Sequence, residues 1–296
     1  MSALAFTILA IALAGPVPEM LARASWPMRA PRAAVVLWQA VAAAAVLSAF
    51  SAGLAIASRI FTGEIAALGW PLWLCLVGVF ALTLLIGARL IIAVLRVAIG
   101  TRRRRAHHRM MVDLLGECHD DLDGARVIRV PETLAYCLPG MRSRVVLSEG
   151  TLTALTGPEL AAILRHERAH LRARHDLVLE AFIAVHTAFP RFVRSGSALA
   201  AVRLLVELLA DDAAVRAVGP TPLARALVAC SVARTPAGAL GAGGPTTVIR
   251  VRRLSGPPNS LPISLAAYCA AVAVLVVPTI AVVVPWLTEL LRLILI

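Results

Sequence analysis

Long apolar blocks separated by short basic stretches occupy both ends of the chain, and a mixed pattern lies between them. Residues 3–22 are apolar apart from Pro16, Pro18 and Glu19. A signal peptide competes for this stretch, because Ala12-Leu13-Ala14 resembles a small-residue cleavage site. The basic leader such a peptide needs is missing, which favours an uncleaved first span with its N-terminus outside. A second block covers residues 33–57, and its exit loop at 58–69 carries only Arg59 and Glu64. A third begins near Trp70 and reaches about Ala88. The block 262–296 accommodates a fourth span of about 20 residues, with Pro278 as a kink and 287–296 lying along the membrane surface.

Between Met110 and Pro258 the pattern is that of a compact domain. Residues 127–130, 133–138 and 144–148 read as short strands, with Leu138-Pro139-Gly140 as turn chemistry. Helical patterns dominate 150–233. Thr156 and Glu159 form a capping box, Pro158 suits a first turn, and Leu160, Ile163 and Leu164 make an apolar stripe. Residues 177–189 are too short to span, and Glu180 and His186 interrupt them, so a buried or membrane-resting helix ending at Pro190 is expected. Residues 198–218 read as a further helix and 237–246 as a mobile Gly/Ala-rich loop. The expected fold is mainly α and multi-span, with four transmembrane helices and a cytosolic α+β domain between spans three and four. The domains fall at 1–100, 101–260 and 261–296.

Composition strengthens the membrane reading. The chain is 59% hydrophobic and 16% charged, with mean hydropathy +0.83, against about 45–50% and about 25% in ordinary soluble domains. A net charge of +12 raises the question of nucleic acid. The basic residues instead crowd beside apolar blocks, at Arg23, Arg29, Arg32 and then Arg102 to Arg105 and Arg109, which places those loops in the cytosol. Aromatics are only 5%, and no basic face interleaved with them appears, so direct nucleic-acid binding is not expected. Five cysteines without a C-x-x-C read as buried small hydrophobes rather than a disulfide or thiolate-metal framework.

The candidate chemistry sits in the capped helix, at His166, Glu167 and His170. Four residues apart, the two imidazoles leave one helical face and reach one Zn²⁺, with Glu167 beside them as general base. A helix carrying two solvated histidines is the bland alternative. Catalytic zinc takes a third protein ligand, and Glu207 is the candidate. Asp211, one turn on, would hold a ligand imidazole by its second nitrogen, with Asp212 as its rival. An acidic i, i+4 pair on an otherwise apolar helix repels by about 0.2–0.5 kcal/mol, which favours a cation nearby. His175 is expected off the ligand face, as a surface or helix-end residue. His186 is expected as a hydrogen-bonded buried residue, His107 and His108 belong to the basic run, and His119 with Asp120 and Asp121 reads as a turn. An extended substrate is expected against an edge strand at 144–148.

HERAH with the preceding GPELAAIL, the upstream YCLPGMRSRVVLSEG, and Glu207 followed by Asp211 resemble the membrane gluzincin peptidases of the BlaR/MecR type, with the HtpX and CAAX-prenyl-protease group more distant. The resemblance implies that the cytosolic α+β domain is a zincin-like peptidase domain, with His166, His170 and Glu207 as zinc ligands, Glu167 as base and Asp211 behind a ligand. VIRVRRL at 248–254 is similar to a signature of the wider group and implies Arg250 as a charge-neutralising residue, although an interfacial basic cluster explains it equally. BlaR/MecR receptors carry a penicillin-binding domain after their last span and this chain ends there, so β-lactam sensing is not implied. The expected function is integral-membrane zinc metalloendopeptidase action on a cytosolic protein, a winged-helix repressor in the resembled receptors. A quality-control protease of HtpX type and an inactive membrane signalling scaffold are the alternatives. The expected setting is the plasma membrane with its lipid.

Overall fold

The computed structural model describes residues 2–61, 69–122, 124–189, 196–232, 240–241 and 246–294. Expectations for Glu64, Pro190 and most of the 237–246 loop lie outside the described residues. The chain is mostly helical and forms two compact units. One holds residues 1–93, 184–201 and 260–296, and the other 94–183 and 202–259.

In the first unit, α1 (Ser2–Ala14) and α2 (Pro16–Arg23) break at Gly15, where Pro16 opens the new helix. A proline fits a first turn because its missing N–H is one the helix would leave unpaired. α3 (Pro31–Phe61) buries Leu37, Ala40, Val41 and Ala44 in a cluster with Leu13 of α1 and Ala271 of α11 (Leu261–Ile294). Small side chains let helices approach closely where no water drives them together. Gly53 makes the same point, since a Cβ there would collide with the Thr83 side chain. α4 (Trp70–Leu115) leaves Leu82, Leu84, Leu85 and Ile91 exposed. Among the described residues, four helical stretches are long and apolar enough to cross a membrane: Leu4–Arg23, Pro31–Gly53, Trp70–Leu115 and Leu261–Ile280.

α4 also corrects an expectation. The basic run at 102–109 is helical rather than a loop, because Arg and Ala are good helix formers and only Gly100 interrupts the pattern. Nor are all the cysteines buried. Cys137 and Cys230 are, whereas Cys75, Cys118 and Cys269 are exposed, and all five are free.

Among the described residues the second unit carries five strands: β1 (Glu117–His119), β2 (Ala125–Ile128), β3 (Ala135–Leu138), β4 (Arg144–Ser148) and β5 (Leu240–Gly241), in the order β1-β2-β4-β3-β5. β4 pairs parallel with β2 and antiparallel with β3. It is therefore an interior strand, and the expected docking edge at 144–148 does not exist, because β2 and β3 satisfy its hydrogen bonds on both sides. β5 arises within the expected loop and pairs with Tyr136 and Cys137. Ala135 and Cys137 of β3 face a core shared with Ile163 and Leu164, while Tyr136 and Leu138 face Val112 of α4. The other helices are α5 (Glu149–Ala154), α6 (Gly157–Arg172), α7 (His175–Ala188), α8 (Gly196–Val218), α9 (Pro220–Ala229) and α10 (Thr247–Leu254). Ser148 at the end of β4 caps α5 by accepting from the Thr151 N–H at 3.1 Å. That cap takes the chain directly from the sheet toward the helix that carries the candidate chemistry.

Candidate metal centre

α6 begins where the sequence pattern places it. The Thr156 N–H donates to Glu159 Oε2 at 2.9 Å, closing the capping box, and Pro158 sits in the first turn. The helix buries Ala162, Ile163 and Leu164 against the core, which brings the next turn into the interior. His166, Glu167 and His170 are consequently all fully buried, a costly place for charge without partners.

The partners come from two other helices of the same unit. His166 Nε2 and His170 Nε2 are 3.2 Å apart. Glu207 of α8 places Oε2 3.4 Å from His166 Nε2 and Oε1 3.6 Å from His170 Nε2. One ligand atom from each of the three residues lies within 4.8 Å of the others, and this is the one such His/Cys/Asp/Glu group among the described residues. Asp211, one turn beyond Glu207, sets Oδ1 3.0 Å from His166 Nδ1. Asp212 turns to Arg253 and Asn259 instead.

Arg250 of α10 is 1% exposed and completes the charge balance. Its Nε and Nη2 donate to both Asp211 oxygens, at 2.8 and 2.6 Å, and its Nη1 lies 3.0 Å from Glu207 Oε2. The Arg250 fork is thus bidentate on Asp211, the geometry in which a guanidinium binds a carboxylate strongly, and its third nitrogen reaches Glu207.

These contacts set the protonation states. Burial favours a neutral His166, but Asp211 and Glu207 outweigh it and push that imidazole up to about 9. His170 has no such acid behind it, and burial drives it down to about 3. Burial also disfavours charge on Glu207, yet His170, His166 and Arg250 hold it at about 2. Asp211 is held well below the usual carboxylate range by Arg250 and His166, against its burial. Glu167 moves the other way: burial lifts it to about 7. Neither of its oxygens has a hydrogen-bond partner of ordinary geometry, although the Cys137 thiol on β3 is near enough to favour its ionised form.

The donor set fits zinc. Nitrogen and oxygen ligands about 2.0–2.1 Å from a tetrahedral ion lie about 3.3–3.4 Å from one another. The three observed separations, 3.2, 3.4 and 3.6 Å, bracket that edge length. Two imidazoles and one carboxylate are also a set that leaves a fourth position open.

Two residues were not expected here. His175 is 5% exposed rather than at the surface, and its Nδ1 lies 3.0 Å from His170 Nδ1. A continuous helix would turn it off the ligand face. The chain instead leaves α6 through Arg174 in the left-handed conformation (φ 51°) and restarts at His175, folding the ring back over His170. The acidic Asp176 in the first turn of α7 is the sequence signal for that restart. Cys137 carries no signal at all, since only the sheet register brings it under Glu167. His186 is half-buried in α7, His119 closes β1, and His108 contacts the Tyr136 hydroxyl at 2.9 Å; none of the three belongs to the three-ligand group.

A family model described as BlaR1 peptidase M56 matches residues 5–192. The match contains His166, Glu167 and His170 and stops before Glu207. No curated protein and no solved structure matches the chain.

Proposed function

The chain belongs to the BlaR1 peptidase M56 family, and we propose that it is an integral-membrane zinc metalloendopeptidase that cleaves a cytosolic protein, a transcriptional repressor or another regulator in a signalling pathway. Family membership implies peptidase activity, and the four apolar helices agree with a membrane protein. The observation that carries the zinc reading is the convergence of His166, His170 and Glu207 at the spacing of tetrahedral ligands. The placement of arginines beside the apolar helices supports an external N-terminus, four spans and a cytosolic catalytic domain.

His166, His170 and Glu207 would hold the metal. When bound, a zinc ion here lowers the pKa of water toward about 7 and polarises a scissile carbonyl. Glu167 takes the proton of the attacking water and passes it to the departing amine as the C–N bond breaks. Its burial suits both duties, because a carboxyl near 7 exchanges protons readily at neutral pH. Asp211 keeps a proton on His166 Nδ1 and so directs Nε2 to the metal. Arg250 offsets the negative charge of Asp211 and Glu207 and fixes the Glu207 carboxylate.

Elemental analysis of the purified full chain tests the ligand set. One zinc per chain is expected in the wild type and in Glu167→Gln, and a reduced content in Glu207→Ala. Unchanged stoichiometry in Glu207→Ala would remove that residue from the ligands.

A further inference from the structure

The two imidazoles of the centre are supported in different ways. His166 has a carboxylate behind it, at Asp211. Behind His170 stands another histidine: the Nδ1 atoms of His170 and His175 are 3.0 Å apart, with ring planes at 83° and centroids 5.0 Å apart. Both rings are buried. Two nitrogens at that distance share one proton, since two N–H groups would repel and two lone pairs would leave both unsatisfied. His170 turns Nε2 toward His166 and Glu207. A metal-binding Nε2 must be bare, so the His170 proton sits on Nδ1 and His175 Nδ1 accepts it.

Resting on the zinc reading above, we infer that His175 is the positioning residue for His170, accepting its Nδ1–H and so fixing both the tautomer and the ring orientation that aim Nε2 at the metal. The acceptor is itself held. Its neighbour Asp176 is 1% exposed and receives Arg105 Nη1 at 3.1 Å, which ties the first turn of α7 to α4. Arg105 also reaches Glu180 at 2.6 Å, one turn further along α7. The left-handed Arg174 sets the start of that turn. A neutral imidazole accepts more weakly than a carboxylate, so His170 gains orientation with less added basicity than His166 gains from Asp211. Sequence spacing alone conceals this role, because five residues along an unbroken helix point elsewhere.

The test is the zinc dissociation constant of the full chain in detergent, measured by competition with a chromophoric chelator and independent of proteolysis. Losing an outer partner of a metal-bound histidine weakens metal binding by about 10–100-fold. His175→Phe, which keeps the ring and removes the acceptor, should show that loss. His175→Asn puts its amide oxygen where Nδ1 sits and should recover most of the affinity, which a packing role would not predict. Wild-type affinity in His175→Phe, or Asn no better than Phe, would overturn the inference and leave the zinc centre standing. Absence of zinc binding by the wild type would overturn the zinc reading itself. If the Phe variant does not fold, Asn against Gln carries the same test. Gln places its oxygen near Nε2, so Asn should bind about tenfold tighter by the same reasoning, and equal affinities would overturn the inference.

Discussion

A single imidazole, His166, sets how the centre responds to pH. In the metal-free protein Asp211 and Glu207 keep its proton up to about 9, whereas His170 is already neutral above about 3 and Glu207 is ionised above about 2. Zinc needs the neutral ring, so one proton must leave on binding. Affinity should therefore rise about tenfold per unit between about pH 6 and about pH 8 and level off near 9. Chelator competition at three pH values reads the slope, and a flat dependence would contradict a protonated His166. At this scale the sequence was most informative where spacing decides geometry. His166 and His170 leave one face of a helix because they are four apart, and Glu207 with Asp211 for the same reason on α8. It was least informative where the chain turns. His175 and Cys137 reach the centre through a left-handed residue and a strand register, neither of which is encoded by local spacing.

At the level of elements, α6 is the part on which the rest depends, and its start is stabilised locally. Thr156→Ala removes half of the capping box and should lower stability by about 1 kcal/mol, read as a fall in the unfolding midpoint. Zinc stoichiometry should be unchanged, because the cap lies more than two turns from His166. A variant with wild-type stability would show that packing against β3 and β4, and not the cap, holds the helix start. The existence of α6, α8 and three of the strands was legible from caps, stripes and turn residues. The interior position of β4 was not, because strand order depends on pairings between distant segments: β2 lies on one side of it and β3 on the other. The length of α4 was obscured by its charge. A run of arginines reads as an orienting loop, yet the same residues are good helix formers. Glu180, read as an interruption of an apolar stretch, is instead a partner of the buried Arg105.

For the whole molecule, the claim that matters is which side of the membrane the centre faces. The proposed topology, an external N-terminus and three spans before the second unit, puts that unit in the cytosol. An epitope at the N-terminus should be labelled in intact cells. One inserted in the exposed turn at Met141, between β3 and β4, should be labelled only after permeabilisation. Labelling of the Met141 epitope in intact cells would reverse the topology and exclude a cytosolic substrate. Composition made membrane residence legible at once, because few soluble chains are so apolar and so sparsely charged. Function in the finer sense has no such compositional trace, since the target of a peptidase is chosen by surfaces that bind an unknown partner.

The most direct test compares the protein fragments of cells carrying the wild-type chain with those carrying Glu167→Gln. Both proteins should hold one zinc per chain, and at least one cytosolic protein should be cut only in the wild type. Identical fragment patterns, with both chains folded and loaded, would contradict the assignment of Glu167 as the base and with it the account of this chain as a working zinc peptidase.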